Sequence, residues 1–268
     1  MTRKQQTVRE QTPHQLECDA RLAAFLEGFK PPGIILDARV WGSNSHNTQV
    51  ESSDWDFAGI YAAWPIELLG MRPPSDKLQH DNDAKQPGEC DYAFYEAAKW
   101  AGLLLKGNPG IIESLFAEVG CHTDKMMKDL IDNSHLFVSR RVIKQYTGYA
   151  SGQLERARKG SYLHTKGGKV SEKWLYHIFR LLGDARDLII HRKVQVYKAD
   201  DSKEREALLA IRQGGYEVEE MLVRAEREIG LVDSLDVSHL PEEGDADMLQ
   251  GWLVRVRTRM FKMSLGLE

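Results

Sequence analysis

The chain has 268 residues, of which 42% are hydrophobic and 28% are charged, and its formal net charge is −4. This composition is ordinary for a globular protein with a sizeable hydrophobic core. No apolar run approaches the roughly 20 residues of a membrane span, and residues 1–29 lack the apolar region of a signal peptide, so we expect a cytoplasmic protein. The three cysteines lie far apart without a CxxC pair, which argues against a disulfide framework or a zinc site.

The first predicted elements are a helix and a buried strand. Residues His14–Phe29 carry an apolar stripe at helical spacing, and Pro31-Pro32-Gly33 ends that helix. A strand then runs from Ile34 to Trp41 and is apolar on both sides, as is typical of a strand covered on both faces. The polar residues before Pro13 are expected to be frayed.

A Gly-Ser turn follows this strand. Gly42 has no Cβ, so its backbone can turn sharply and approach a ligand, and Ser43 can offer its hydroxyl and its amide to a phosphate oxygen. Residues Asn44–Ser53 are polar and predict a short helix or loop over the phosphates, whose amino end would add partial positive charge. Taken alone, the turn is most simply the end of a strand.

Two aspartates follow on the predicted second strand. Asp54 and Asp56 are two residues apart and therefore point to the same face of a strand, while Trp55 and Phe57 point to the other. Strands are depleted in aspartate, and neighbouring like charges are costly unless a cation neutralises them. An exposed strand face is the simpler alternative, but this pair after a Gly-Ser turn favours ligands of a divalent metal.

The pattern Gly42-Ser43 followed by Asp54-x-Asp56 resembles the signature of the polymerase-β-like nucleotidyltransferase superfamily. The loop Lys106-Gly107-Asn108-Pro109 and a later Lys-x-x-x-His-x-x-Arg helix resemble one branch of that superfamily. This branch is the predicted bacterial and phage nucleotidyltransferases, which include members of RNA repair gene sets. The resemblance covers about residues 34–215.

The resemblance implies a third metal-binding carboxylate at Asp91, which would also act as general base toward an attacking hydroxyl. The residues alone leave another possibility open, because Asp91 could cap a helix predicted over Phe94–Leu105. Glu89 and Glu96 are substitutes for this third carboxylate. Glu113 could brace the site from behind.

A predicted helix over Lys173–Ile190 carries a cationic stripe beside its buried face. Lys173, His177 and Arg180 are spaced four and three residues apart, which places them on one side of the helix. The resemblance implies that this helix faces the nucleotide, with Lys173 and Arg180 on the triphosphate and His177 on phosphate or base. The simpler alternative for Arg180 is a surface ion pair with Asp184.

The implied chemistry is metal-dependent transfer of a nucleoside monophosphate from ATP or another nucleoside triphosphate to a hydroxyl, with release of pyrophosphate. Two Mg²⁺ ions, with Mn²⁺ as a substitute, would be held by three carboxylates: Asp54, Asp56 and Asp91. The nucleotide would be bound by six residues: Gly42, Ser43, Ser53, Lys173, His177 and Arg180.

The charge is unevenly spread along the chain. Residues 138–193 contain 13 Lys or Arg against 4 Asp or Glu, a local excess of +9. A basic segment favours a polyanionic partner, and with the resemblance it predicts a tRNA-like RNA end as the acceptor. Scattered lysines on a solvated helix face are the simpler alternative. A small-molecule or protein acceptor, or a catalytically silent nucleic-acid-binding protein, also stays open.

The remaining pattern is mostly helical. It predicts a surface loop over 71–88, one long helix or two over 136–159, a loop over 160–169, a short strand over 194–197 and helices over 203–212, 216–231 and 246–265. We therefore expect an α+β fold with a small mixed-sheet nucleotidyltransferase domain over residues 1–130. A helical domain over residues 131–268 would complete the cleft for nucleotide and acceptor.

Overall fold

A computed structural model describes residues 11–81, 90–158 and 172–267. Most of the predicted amino-terminal frayed segment, all of the predicted loop 160–169, and Glu89 lie outside the described residues. Of the predicted loop 71–88, the structure describes residues 71–81. None of the described helices is both long enough and apolar enough to cross a membrane.

Five strands of the described chain form one mixed sheet in the order β3-β4-β2-β1-β5. Their bounds are β1 Gly33–Trp41, β2 Asp56–Ala63, β3 Lys77–His80, β4 Asp91–Glu96 and β5 Cys121–Thr123. Strands β2 and β4 run parallel, and the other neighbouring pairs are antiparallel. The sheet and its many helices confirm the predicted α+β class, and all five strands precede residue 130. The division of the chain into two domains at that residue stays a prediction.

The helices of the amino-terminal half are short except for the first. They are α1 Pro13–Gly28, α2 Gly42–Ser45, α3 Pro65–Leu69, α4 Ala97–Leu105, α5 Pro109–Ser114 and α6 Lys128–Asp132. The later helices are longer: α7 Arg140–Arg158, α8 Glu172–His191, α9 Lys203–Arg212, α10 Val218–Asp233 and α11 Ala246–Ser264. Single 3₁₀ turns lie at Lys125–Met127 and Ser134–Phe137.

The sheet is covered on both faces. On one face, α1 packs over a small apolar cluster that includes Phe57, Tyr61 and Phe94. On the other face, Ile60 and Ala62 join the large core formed with α4, α5, α7, α8, α10 and α11. Because side chains alternate along β2, its even-numbered residues, including Asp56, lie on this second, helical face.

Several predicted elements need correction. The helix expected from Phe94 begins at Ala97, because the preceding residues pair with β2 as strand β4. Glu96, and not Asp91, caps that helix by accepting a hydrogen bond from the Ala98 amide. Asp54 lies just before β2 rather than on it. Strand β3 lies in the segment predicted as a loop, and residues 194–197 form no strand.

Candidate active site

Two of the predicted metal-binding carboxylates are neighbours in the sheet. Asp56 is the first residue of β2, Asp91 is the first residue of β4, and the two are directly paired in the parallel register. Neighbouring strands lie about 4.8 Å apart, and paired residues point to the same face. Both side chains therefore project from the same edge of the sheet on its helical face, so the alternative that Asp91 is only a helix cap is wrong.

The Gly-Ser turn lies directly against this pair. Gly42 adopts a positive φ of 65°, in the left-handed region that favours glycine. A Cβ at this position would overlap the Oδ2 atom of Asp56. The next residues form the single turn α2, and the Asn44 side chain donates a hydrogen bond to the backbone oxygen of Asp54 at 3.0 Å. The turn and the aspartate segment are thus fixed to each other through backbone and side-chain contacts.

The electrostatics of the carboxylates reflect their crowding. Burial, together with the negative charges of Asp91 and Asp54, raises the pKa of Asp56 to about 6, against the opposing effect of the Lys173 cation. Three acids close enough to act on one pKa favour a bound cation, since a cation would remove their mutual repulsion. Lys173, predicted to bind the triphosphate, therefore lies near the three acids.

Helix α8 presents its cationic stripe toward this edge of the sheet. Burial, together with the positive charges of the neighbours Arg180, Lys173, His46 and Arg212, lowers the pKa of His177 to about 3. His177 is therefore a neutral imidazole at pH 7, suited to donating or accepting one hydrogen bond rather than to neutralising phosphate charge. Its role as a contact to phosphate or base stays a prediction.

Arg180 is buried, whereas the predicted surface pair with Asp184 would leave it exposed. The residue is 8% exposed, and Nη1 donates to Glu113 Oε1 at 2.8 Å and to Asp184 Oδ2 at 2.9 Å. The alternative of an exposed ion pair is therefore wrong. Nε of Arg180 is buried and has no hydrogen-bond partner within the described part of the chain, so the predicted triphosphate contact stays a prediction.

Arg180 belongs to a series of alternating basic and acidic side chains that we call the ion chain, which is buried from His46 to Lys198 and ends at the exposed Glu204. Its neighbouring members lie 2.8–3.5 Å apart, in the order His46, Glu113, Arg180, Asp184, Lys198 and Glu204. Burial alone would raise the pKa of Glu113, but the charges of Arg180 and His46 outweigh it and lower that pKa to about 2. Glu113 thus braces the turn from behind, as the sequence suggested.

The polar segment after the turn is more buried than expected. The segment Asn44–Ser53 is predicted as a short helix or loop over the phosphates, yet its first five residues, Asn44–Thr48, are at most 5% exposed. Nδ1 of His46 donates to the Val196 carbonyl at 3.1 Å, and Nδ2 of Asn47 donates to the Lys198 carbonyl at 2.9 Å. The segment 194–200 therefore completes the turn from about 150 residues away, and nothing in the local pattern indicates this.

A comparison with protein families now places the chain. The RNA repair pathway DNA polymerase beta family, RlaP, matches residues 20–255. The chain belongs to this family. The match spans α1 to α11 and so includes the turn, the three carboxylates and helix α8. A comparison with curated proteins gave no match.

The residues of this RlaP protein fit a divalent cation by their donor chemistry. Carboxylate oxygens are the ligands that Mg²⁺ and Mn²⁺ prefer, and Gly42 leaves space beside Asp56 that a Cβ would fill. Within residues 11–81, 90–158 and 172–267, no group of three or more His, Cys, Asp or Glu side chains is already arranged as a metal centre. Ligation by all three aspartates would therefore include side-chain rotation.

Glu96, one of the two substitutes for the third carboxylate, does not reach the site. Glu96 lies at the far end of β4 from Asp91, caps α4 and forms two hydrogen bonds with Arg257 at 2.6 and 2.8 Å. Those contacts hold α11 against the sheet. Glu96 is thus engaged in structure, and Glu89 lies outside the described residues.

The basic segment 138–193 is largely neutralised in three dimensions. Ten of its 13 Lys and Arg residues are described, because Lys159, Lys166 and Lys169 are not. Seven of these ten form ion pairs: Arg140, Arg141, Lys144, Arg158, Arg180, Arg186 and Lys193. Nearly all of the acids that they contact lie outside the segment, as Glu242 and Glu226 do. The nine excess positive charges of this segment are therefore not concentrated on one surface of the folded protein.

Proposed function

We propose that this protein transfers a nucleoside monophosphate from a nucleoside triphosphate to a hydroxyl at an RNA end. The observation that carries the proposal is the direct pairing of Asp56 and Asp91 beside the Gly42 turn, with Lys173 close by. Membership of the RNA repair pathway DNA polymerase beta family supports both the reaction class and the RNA acceptor. The basic segment adds little to the case for RNA, since most of its described charges are paired within the protein.

Each part of the site has a role in this reaction. Asp54, Asp56 and Asp91 would hold two Mg²⁺ ions, which when bound neutralise the triphosphate and activate the acceptor hydroxyl. Gly42 and Ser43 bind the β- and γ-phosphates through backbone amides and the serine hydroxyl.

The transfer itself exchanges one phosphorus–oxygen bond for another. The acceptor oxygen forms a bond to the α-phosphorus, the bond between that phosphorus and the bridging oxygen breaks, and pyrophosphate leaves. Asp91 accepts the proton of the acceptor hydroxyl, and Lys173 stabilises the charge that develops on the leaving pyrophosphate.

Transfer of label from α-³²P-labelled nucleoside triphosphates tests this proposal. The purified protein is incubated with Mg²⁺ or Mn²⁺ and, separately, with total RNA, a small-molecule extract and protein. We expect label in RNA, and its loss by at least about a thousandfold in D56N and D91N, because each variant removes a ligand worth several kcal/mol in the transition state.

An aspartate away from the site provides the control. D132N changes an exposed aspartate that pairs with Lys128, so it should transfer label like the unchanged protein. Label in a small molecule or a protein would support nucleotidyl transfer but identify an acceptor other than RNA. Transfer that persists in both D56N and D91N, or no transfer to any acceptor with either metal, would contradict the proposal.

A further inference from the structure

Arg212 lies where the helical part of the chain meets the aspartate-bearing segment. It is the last residue of α9, and its guanidinium is partly buried. Nη1 donates to the carbonyl oxygen of Thr48 at 2.9 Å, and Nη2 is 3.3 Å from the hydroxyl oxygen of Ser53. One side chain thus spans both ends of the segment 48–53, whose next residue is Asp54.

The same guanidinium also contacts helix α8. Its central carbon lies 5.2 Å from the centre of the Tyr176 ring, a distance typical of a cation over an aromatic face. The Tyr176 hydroxyl is 2.6 Å from the Thr48 hydroxyl, so the ring and the guanidinium hold the same residue from two directions. Arg212 therefore closes a ring of contacts between α8, α9 and the segment 48–53.

Only arginine can make this set of contacts at once. The guanidinium is planar and offers donors in a fixed fork, so it can stack on a ring while donating to two separate acceptors. A lysine ammonium would keep the charge, but it would lack the planar stacking and the fixed spacing of two donors. Nothing in the sequence of α9 distinguishes Arg212 from an ordinary surface arginine near the end of a helix.

We propose that Arg212 is a positioning residue that fixes the segment 48–53 against α8 and thereby sets the position of Asp54 for catalysis. The proposal rests on the proposed nucleotidyl transfer, since it assigns the carboxylate of Asp54 to that reaction. It differs from a nucleotide-binding role, because two of the guanidinium nitrogens donate to protein oxygens and its face covers Tyr176. Arg212 acts through the protein and not on the phosphates.

Two variants of Arg212 separate these roles. For R212K and R212A we expect kcat to fall about 10- to 100-fold, since a misplacement near 1 Å costs about that much, while the KM for the nucleotide changes less than about threefold. A phosphate contact would show the reverse pattern, with a raised KM in R212A that lysine rescues. R158K, which alters an exposed arginine paired with Glu226, should leave both constants unchanged.

Hydrogen exchange provides a readout that needs no activity. We expect the amides of residues 48–55 to exchange about tenfold faster in R212A than in the unchanged protein, with no change over β1. This result would stand even if no acceptor were found. Absence of transfer in the unchanged protein would overturn the proposed function alone, whereas unchanged exchange in R212A would overturn the positioning role alone.

A double-mutant cycle with Ser53 completes the test. S53A removes the hydroxyl that Arg212 contacts and leaves the Thr48 contact in place, so we expect a smaller fall in kcat than in R212K. If both residues act through one segment, the double variant S53A/R212K should lose no more than about twofold beyond R212K. Losses that multiply, or a nucleotide KM that rises tenfold in R212A with kcat unchanged, would overturn the proposal.

Discussion

The two faces of the β-sheet are both covered by hydrophobic side chains, but buried ion pairs accompany only the helical core. Beneath α1, aromatic rings pack on one another, with centroids of Phe25 and Phe57 at 4.4 Å and of Phe29 and Phe94 at 4.3 Å. Among the helices on the opposite side, the ion chain runs through the core from His46, which follows the Gly42 turn, to Lys198, and ends at the exposed Glu204. The same strands thus support an aromatic layer on one side and, on the other, a hydrophobic core that contains a row of ion pairs.

This difference between the two faces indicates which of them is built for function rather than for stability alone. Aromatic packing stabilises a fold through buried area and ring contacts. Buried ion pairs add little net stability, because the cost of removing charges from water consumes most of the attraction. Hydrophobic side chains in place of these ion pairs could support the helical core equally well, so we infer that the ion chain fixes the Gly42 turn in one geometry. The predictions below separate stability from positioning on the two faces.

The largest effect is expected from breaking the ion chain at its centre. R180M removes the cation between Glu113 and Asp184 and leaves both carboxylates buried beside each other. We expect the free energy of unfolding to fall by about 3–5 kcal/mol, the usual cost of an uncompensated buried charge. Urea denaturation monitored by circular dichroism measures this free energy. A loss below about 1 kcal/mol would show that the members of the ion chain are not charged as described.

A methyl group at the turn is expected to affect activity more than stability. G42A places a Cβ against Asp56 Oδ2 and forces a non-glycine residue to adopt a φ of 65°. We expect a fall in transfer of about 100-fold, with about 1–2 kcal/mol lost from the free energy of unfolding. The matched control is G148A, a helical position where an added Cβ has no neighbour within 4 Å. Equal activity in G42A and G148A would contradict the assignment of the turn.

The aromatic face is expected to behave in the opposite way. F25A removes a partly buried ring that stacks on Phe57 and should lower the free energy of unfolding by about 2 kcal/mol. Transfer per folded molecule should stay within about twofold, because no described contact of Phe25 reaches the carboxylates. Activity is measured well below the melting temperature, and a tenfold loss there would break the separation between the two faces.

The smallest effect concerns pH and Asp56. Its pKa is raised to about 6, so between about pH 4 and 6 the folded, metal-free protein binds more protons than the unfolded chain. Stability from this group is therefore present at low pH and lost as pH rises through 6. D56N lacks this dependence and should be more stable than the unchanged protein above pH 6, by on the order of 1 kcal/mol. Melting curves in EDTA from pH 4 to 8 test this, and curves that coincide throughout would contradict it.

The residues at the candidate active-site edge of the sheet can be predicted from the sequence better than the residues that support them. The Gly-Ser turn and the Asp54 and Asp56 pair are local patterns that turn chemistry and short spacing along the chain bring together, although strand alternation does not describe Asp54, which lies just before β2. The metal-binding role of Asp91 could be predicted only from the family resemblance. The spacing of Phe94, Ala97 and Ala98 fits a helix that begins at Phe94 as well as a strand that leads into a helix. The alternation of aromatic residues Tyr92 and Phe94 was the signal for β4.

The rest of the site depends on contacts between distant parts of the chain. The buried position of His46 follows from Val196 and Glu113, and Arg212 is distinguished only by the two oxygens that it contacts. The basic segment illustrates the same limit, because Arg140 and Arg158 meet acids that lie 102 and 68 residues away. Charge along a sequence measures composition, whereas charge on a surface depends on which residues the fold brings together.

Binding of Mn²⁺ tests the central assignment most directly. The ion is titrated into the protein with a non-hydrolysable nucleoside triphosphate analogue, and free Mn²⁺ is followed by electron paramagnetic resonance at pH 7.5. We expect specific binding in the unchanged protein and in D132N, and weakening by at least about tenfold in D56N and in D91N, since each loses a carboxylate ligand. Equal affinity in all four proteins would contradict the assignment of this edge of the sheet as the catalytic metal site.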